Sequence, residues 1–391
     1  MTKNKPTICM FRLEYTSVLY DSRVLREAKA LVQHNNEVTI IDVLGNNCKE
    51  REIIEGIQIE RIKLWSKNFP SNLLGRLFKY IEFFIKAIIK GISKKAHVYH
   101  AHDLPVLFAA LVSAKVNRAK LIYDSHELYV EMGTVPNKLK WLITKIEKLL
   151  CGFVDQIIVA NESRAKVMQA RYNLTNLPQP IMNCPSIVDY SPDPSSNNDF
   201  AVFLQEHGAQ NKKIVLYQGG LMVERGLEQL VESAGLFDDN IVLVIIGEGR
   251  LKKKLQDMVV AAHLEAKVLF HPYVPYEQLL LYTKQAALGV VIYQNTCLNN
   301  YYCAPNKLFE YASANLPVVA SNFPELEKIV KKYNIGELFD PNDPADIARA
   351  INAVFVVPAR YEKIKQNTGL VKDLFNWERE EKKLLAIYNK L

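Results

Sequence analysis

The chain has 391 residues, 49% hydrophobic and 23% charged, a composition that excludes intrinsic disorder. Single cores rarely grow beyond about 250–300 residues, so the length implies two domains. The formal net charge of +7 is uneven: residues 1–190 carry 27 Lys/Arg against 18 Asp/Glu, and residues 191–391 carry 22 against 24.

No run reaches the roughly 18 apolar residues of a membrane span, and the opening MTKNKPTICMF lacks a secretory core. The expectation is a cytoplasmic protein, soluble or peripheral on the inner face of a membrane. Cys9, Cys48, Cys151, Cys184, Cys297 and Cys303 form no C-x-x-C pair, so neither a disulfide framework nor a structural metal is expected.

In chain order, apolar strand candidates alternate with helical stretches. The first half offers 6–11, 22–33, 37–43, 73–92, 98–101, 105–116 and 120–123. Within 73–92 the apolar residues Leu74, Leu77, Phe78, Ile81, Phe84, Ile85, Ile88, Ile89 and Ile92 recur with helical period beside Lys79, Lys86 and Lys90, and Lys94 and Lys95 follow. Residues 138–150 (KLKWLITKIEKLL) repeat that character. Basic amphipathic helices of this kind suit either an anionic membrane surface or a solvated domain face. No zinc finger, basic zipper or RNA-recognition pattern is present, so nucleic acid is not an expected partner.

After a Pro-, Ser- and Asn-rich stretch at 183–198 (NCPSIVDYSPDPSSNN), the rhythm resumes at 213–218, 226–233, 241–246, 250–262, 267–270, 277–283, 288–293, 306–314 and 318–321. Strand–helix alternation predicts two parallel-sheet α/β domains. The boundaries are placed at 1–190, with a C-terminal helix over 376–391 packing back on it, and 191–375. Ligands of such sheets bind outside the carboxyl ends of the strands, so the chemistry is expected there, in a cleft between facing domains.

Three segments carry it. Strand IVLYQ runs into Gly219-Gly220, with Arg225-Gly226 opening the next helix, which would gather backbone amides, a helix N-terminus and a guanidinium into an anion site. A second strand ends in Gly247-Glu248-Gly249, but Lys252 stands where a dinucleotide fingerprint needs its third glycine. The richest segment is YYCAPNKLFEYASANLPVVAS: behind Pro305, the amides of Asn306 and Lys307 and the lysine ammonium would hold a phosphate, and Glu310 one turn later would accept hydroxyl hydrogen bonds, as from a ribose.

In the first half, HVYHAHD delivers His100, His102 and Asp103 to one strand end, and LIYDSHE delivers Asp124, His126 and Glu127 to another. Alternation puts His100 and His102 on one face, with one packed and the other reaching substrate. These residues lack the spacing of a metal-ligand set.

The chain resembles glycosyltransferase family 4, retaining nucleotide-sugar enzymes of the GT-B fold, over nearly its whole length. The matching stretches are DSRVLREAKALVQHNNEVTIID, HAHDLP, YDSHELYVE, LYQGGLMVERGLEQLV, IIGEGRLKKKL, VLFHPYVPYEQL, APNKLFEYASANLPVVASNFPELEKIV and GELFDPNDPADIARAI, with NWEREEKKLLAIY similar to the family's C-terminal helix. The resemblance implies a GT-B fold, two Rossmann-like, doubly wound parallel-sheet domains facing an interdomain cleft, and catalysis without a bound metal.

It further implies that Gly219, Gly220 and Arg225 lie along the donor diphosphate, that Asn306, Lys307 and Leu308 supply amides or charge, and that Glu310 holds the ribose. Backbone at Tyr273 and Val274 would meet the base, and His102 would approach the donor sugar, with Asp103, His126 and Glu127 as secondary candidates. Two departures stand out: Gly220 replaces the arginine of the family's basic pair, and Tyr302 replaces the first glutamate of E-x7-E, where Asn299, Asn300 and Tyr301 are possible substitutes.

The implied reaction moves a sugar from a UDP- or GDP-sugar to a hydroxyl of a glycan or lipid-linked glycan in surface polysaccharide assembly. The acceptor surface is expected over residues 101–131 and the loop 12–21. A non-catalytic nucleotide-sugar binding subunit and a sugar-nucleotide epimerase are the rival readings.

Overall fold

The computed structural model describes residues 5–46, 48–70, 72–133, 135–187 and 199–391. It divides into two compact units, Met1–Asn183 with Glu380–Leu391, and Cys184–Arg379. Of the expected connection, residues 188–198 lie outside the described residues.

The N-terminal unit runs β1 (Thr7–Phe11), α1 (Ser22–Gln33), β2 (Glu37–Val43), β3 (Arg51–Ile54), β4 (Ile57–Ile62), α2 (Leu73–Lys94), β5 (Val98–His102), α3 (Leu104–Asn117), β6 (Lys120–Ser125), α4 (Asn137–Cys151), β7 (Gln156–Val159), α5 (Glu162–Tyr172) and β8 (Gln179–Pro180). Its sheet has the order β3-β4-β2-β1-β5-β6-β7-β8 and is parallel except for the β3–β4 hairpin. That hairpin was not among the expected elements. Its turn at Glu55-Gly56 has both residues at positive φ (50° and 82°), the conformation that joins twisted antiparallel strands through two residues.

The C-terminal unit runs α6 (Asp199–Glu206), β9 (Lys213–Gln218), α7 (Leu227–Ser233), β10 (Ile241–Ile246), α8 (Lys252–Ala261), β11 (Val268–His271), α9 (Tyr276–Thr283), β12 (Leu288–Val291), α10 (Leu298–Tyr301), α11 (Asn306–Ser313), β13 (Val318–Ser321), α12 (Pro324–Tyr333), β14 (Gly336–Phe339), α13 (Pro344–Phe355) and α14 (Pro358–Leu374), and the last helix, α15 (Trp377–Tyr388), belongs to the first unit from Glu380 onward. All six strands are parallel, in the order β11-β10-β9-β12-β13-β14. Parallel sheets are covered on both faces, which is why β5 and β10 are buried at every residue and why β10 (IVLVII) reads as an unbroken apolar run rather than an alternating one.

In both sheets the strand order reverses once near the middle, between β1 and β5 and between β9 and β12. Loops leaving neighbouring strands there turn to opposite faces and open a crevice beyond the strand ends. Tyr388, near the end of α15, belongs to the first unit, where its hydroxyl lies 2.8 Å from Nδ1 of His100 on β5.

Helices α2 and α4 both pack on α3, and both leave large apolar side chains in solvent. Leu74, Leu77, Phe78, Ile81, Ile85 and Ile89 are exposed on α2, and Leu139, Trp141, Leu142, Ile146 and Leu149 on α4. The lysines of α2 do not all share that exposure, because Lys86 pairs with Glu82 and Lys90 and Lys94 pair with Glu60.

The Gly247-Glu248-Gly249 loop is explained by packing. A Cβ at Gly247 would lie 1.9 Å from the Gly219 carbonyl oxygen, and one at Gly249 2.2 Å from that of Leu221. The loops leaving β9 and β10 are instead joined backbone to backbone, with Gly219 N–H donating to Ile246 and Leu221 N–H to Glu248. Gly247→Ala therefore forces these loops apart and is expected to destabilise the fold by about 2–4 kcal/mol, measured by urea denaturation. A loss within about 0.5 kcal/mol, typical of surface changes, would show that the loops tolerate separation.

Candidate active site

The C-terminal unit gathers its chemistry beyond the ends of β9 and β12. β9 ends in Tyr217-Gln218 and passes into Gly219-Gly220, β12 continues into Tyr293, and α11 brings Lys307 in its first turn. The Lys307 ammonium lies 3.9 Å from the centre of the Tyr217 ring and 5.6 Å from that of Tyr293, whose face also carries the Arg225 guanidinium at 4.2 Å. Such contacts contribute about 0.5–2 kcal/mol each, less than a buried ammonium loses by leaving water without a counter-ion. Burial and the neighbouring Arg225 accordingly lower the Lys307 pKa to about 7, although Glu310 opposes the shift. Among the described residues neither cation forms an ion pair with a carboxylate.

Glycine has two distinct uses here. A Cβ at Gly219 would stand 3.3 Å from Nζ of Lys307, so its absence lets the ammonium lie against the strand end. Gly226, the residue before α7, has φ of 67°, and a Cβ there would meet Ile292 at 2.8 Å, so both conformation and space demand glycine.

The structure corrects two of the expected amide donors. Gly219 N–H is taken by the Ile246 carbonyl at 3.0 Å, and Leu308 N–H closes a turn onto the Pro305 carbonyl at 3.0 Å, so neither is offered to a ligand. Asn306 and Lys307 open α11 behind Pro305, which supplies no side-chain cap. Gly220 accepts from the Tyr217 hydroxyl through its carbonyl at 3.1 Å.

Glu310 projects beside this site and accepts from Nε2 of Gln218 at 2.6 Å, while Oε1 of Gln218 accepts from the Thr283 hydroxyl at 2.8 Å. Gln218 and Thr283 escaped sequence reasoning because one ends an apolar strand and the other lies within α9. The only available signal was a polar residue closing the run IVLYQ.

After β11, Tyr273 is exposed and Val274 buried. Their loop is braced by His271, whose ring packs among Phe200, Phe203 and Tyr282. Near the departures from the family pattern, Tyr302 packs edge-on against Tyr301, Tyr301 leans on Phe323, Asn299 is buried and Asn300 donates to Thr296.

In the N-terminal unit the strand ends of β1, β5 and β6 carry a dense charge network. Arg12 bonds Asp21 at 2.9 Å, Asp42 at 2.5 Å and the Thr16 carbonyl at 3.0 Å. Arg23 holds both oxygens of Asp124, at 2.7 and 2.6 Å. His126 sits between Asp124 at 3.1 Å and Asp103 at 3.5 Å. Burial works against its protonation, but Asp103 and Asp124 prevail and raise its pKa to about 9, so it is an imidazolium at neutral pH.

His100 and His102 share one face, their rings stacked 4.3 Å apart, as strand alternation requires. The expectation that one of them would be open is corrected: both are buried, and burial holds both pKa values below the ordinary range. The partly exposed groups are Asp103, His126 and Glu127. His102 turns Nδ1 to His126 at 3.1 Å and leaves Nε2 without a partner. Asp103 adopts φ 67° and ψ 163°, a backbone region occupied essentially by glycine, at a cost of about 1–3 kcal/mol.

The fold also brings together Glu27, His100, His102 and Asp124, whose ligand atoms lie within 4.8 Å of one another, a set that sequence spacing concealed. Arg23 occupies both oxygens of Asp124 and lies 3.3 Å from Glu27, so a guanidinium already balances this cluster.

Comparison with known proteins gives this arrangement a family. The model for Glycosyltransferase Family 4 matches residues 22–183, and that for Glycosyl transferases group 1 matches 200–370. An uncharacterized glycosyltransferase of Methanocaldococcus jannaschii is 25% identical over 382 residues, 92% of this chain and 91% of that protein. Two solved structures share the fold. HepE of Anabaena has a TM-score of 0.75 at 16% identity, covering 98% of this chain and 100% of that one. Sucrose-phosphate synthase of Thermosynechococcus elongatus has a TM-score of 0.77 at 18% identity, covering 99% of each. The first unit thus carries the family 4 domain and the second the group 1 domain, and the chain belongs to the family 4 type of GT-B glycosyltransferases.

Proposed function

We propose that the chain transfers a sugar from a UDP- or GDP-sugar to a hydroxyl of a glycan or lipid-linked glycan, with retention at the anomeric carbon, in surface polysaccharide assembly. The observation that carries this reading is the pair Arg225 and Lys307, two cations meeting on the Tyr293 ring with no carboxylate among the described residues paired to them. An anionic diphosphate supplies the missing charge. HepE, whose structures hold UDP and UDP-glucose, favours UDP among the bases.

As the glycosidic bond breaks, negative charge collects on the leaving diphosphate. Arg225, Lys307 and the N-terminus of α11 stabilise it, so charge neutralisation by a metal is not called for in this reading, and the leaving phosphate takes the acceptor's proton. Glu310, steadied by Gln218, receives the ribose hydroxyls. The backbone at Tyr273 and Val274 meets the base. Removing one preorganised donor of this kind costs about 2.7–4 kcal/mol.

Docking at the cytoplasmic face of a membrane belongs to the same proposal. It is supported by the exposed apolar rows of α2 and α4, by Arg76, Lys79, Lys138, Lys140 and Lys148, and by Lys145, which lies over the exposed Trp141 ring at 4.6 Å. No helix among the described residues is long and apolar enough to cross a membrane.

Four measurements test these statements. Thermal stabilisation by UDP, GDP and ADP identifies the base, and Arg225→Ala or Lys307→Ala is expected to lower turnover more than tenfold; near-normal turnover in both would remove the electrostatic role. Because the unliganded Lys307 titrates near 7, an arriving diphosphate raises its pKa. At pH 8 binding of UDP-glucose should therefore take up close to one proton, and affinity should fall as pH rises above 7. Calorimetry in buffers of different ionisation enthalpy measures the uptake, which Lys307→Met should abolish. Finally, the protein should co-sediment with phosphatidylglycerol vesicles, less so at high salt. Phe78→Glu with Ile85→Glu should release it, whereas equal binding to neutral vesicles would contradict the charge argument.

A further inference from the structure

The N-terminal unit contains a cavity of about 460 Å³ at the ends of β1, β5 and β6, a size usual for small-molecule sites. Arg12, Glu14, Asp21, Asp103, His126 and Glu127 supply its charged lining, and Tyr20 and Tyr129 supply aromatic surface. His102 lines it too, buried, with Nε2 unpartnered.

The charges do not offer themselves equally. Arg12 is engaged by Asp21, Asp42 and Thr16. His126 is engaged by Asp103 and Asp124. Each cation in the lining thus already has two carboxylates. Glu14 and Glu127 are different, because among the described residues neither carboxylate has a hydrogen-bond or ion-pair partner. The cavity therefore presents spare acceptors and no spare cation. A phosphate or uronate placed there meets carboxylates that no hydrogen bond or ion pair engages, a like-charge contact that disfavours it. An uncharged hydroxyl-bearing ring can instead donate to Glu14 and Glu127 and lay an apolar face on Tyr20 or Tyr129.

We propose that this cavity binds the acceptor, and that the unit it takes is an uncharged sugar rather than an acidic sugar or a phosphate group. The inference rests on the glycosyltransferase reading above, since that reading makes a sugar hydroxyl the attacking group. Glu14 and Glu127 are the residues that set the specificity, by accepting hydroxyl hydrogen bonds and by repelling anions.

Saturation-transfer NMR on the full chain tests it. The probes are the methyl glycosides of glucose, galactose and mannose, those of glucuronic and galacturonic acid, and methyl phosphate, each with UDP present to occupy the Arg225–Lys307 site. At least one neutral glycoside should bind and, with that site filled, no anionic probe should. Glu14→Gln with Glu127→Gln should weaken the neutral sugar about tenfold or more, and Glu127→Lys should admit a uronoside. Binding of a uronoside or phosphate to the unaltered protein at least as tightly as the neutral sugars would overturn the proposal. So would failure of all three neutral glycosides to bind, or indifference of neutral binding to the double substitution. Thermal stabilisation by UDP on the same samples reports the donor reading separately, so a failed acceptor cavity is distinguishable from a failed transferase assignment.

Discussion

An ammonium buried beside a guanidinium is the least comfortable arrangement in the C-terminal unit, and the site is built around it. Lys307 has lost its water, faces Arg225 across the Tyr293 ring, and is held down to a pKa near 7 by burial and that neighbour. Two aromatic faces recover part of the loss, and Glu310 supplies a distant field, but the cations lack a counter-charge of their own. A fold tolerates such a deficit only when packing elsewhere over-determines the geometry. Here the packing is the close approach of the loops leaving β9 and β10, joined by hydrogen bonds from Gly219 to Ile246 and from Leu221 to Glu248. The glycines that make this approach possible serve the cations indirectly, by fixing the strand end on which Lys307 rests.

The N-terminal unit solves the opposite problem. It buries more charge, yet every cation discussed there is matched: Arg12 by Asp21 and Asp42, Arg23 by Asp124, His126 by Asp103 and Asp124. Buried pairs contribute little net stability once desolvation is counted, so this network is better understood as positioning. It fixes His126 as an imidazolium, turns Nδ1 of His102 to that ring, and leaves Glu14 and Glu127 as the cavity's carboxylates without a partner among the described residues. One unit is short of negative charge and the other is not. That asymmetry suits the proposed reaction between an anionic donor and an uncharged acceptor.

The period and punctuation of the sequence disclose most of the architecture, because apart from the β3–β4 hairpin both sheets are parallel and most of their strands are buried apolar runs set between helical stretches. Residues 22–33, 37–43, 213–218, 241–246 and 318–321 appear as elements with those bounds. The β3–β4 hairpin escaped because REII and IQIERI are short and carry charged residues among the apolar ones, and because every second residue of the edge strand β3 is exposed. The site was legible where a residue type is unusual for its position, as with Lys307 behind a proline or the paired glycines after β9. It was illegible where function depends on partners: Gln218 becomes informative only beside Glu310 and Thr283, and Leu308 loses its amide to a carbonyl three residues earlier. Burial of His102 was equally invisible, since alternation assigns a face and says nothing of depth.

Asp103 shows how these levels join. Sequence puts a small acid after β5; the chain then turns into α3 with a backbone conformation that glycine would adopt without strain. An aspartate kept there at that cost must return something glycine cannot, and it does so through its carboxylate, which accepts from the His126 backbone N–H at 2.9 Å while facing its ring. The strain is offset by the Asp103 N–H donating to the Asp124 carbonyl at 2.8 Å, tying β5 to β6 at the mouth of the cavity. The same residue therefore sets the turn, holds the imidazolium and neutralises it, and the acceptor cavity keeps its spare carboxylates at Glu14 and Glu127 because Asp103 is already committed.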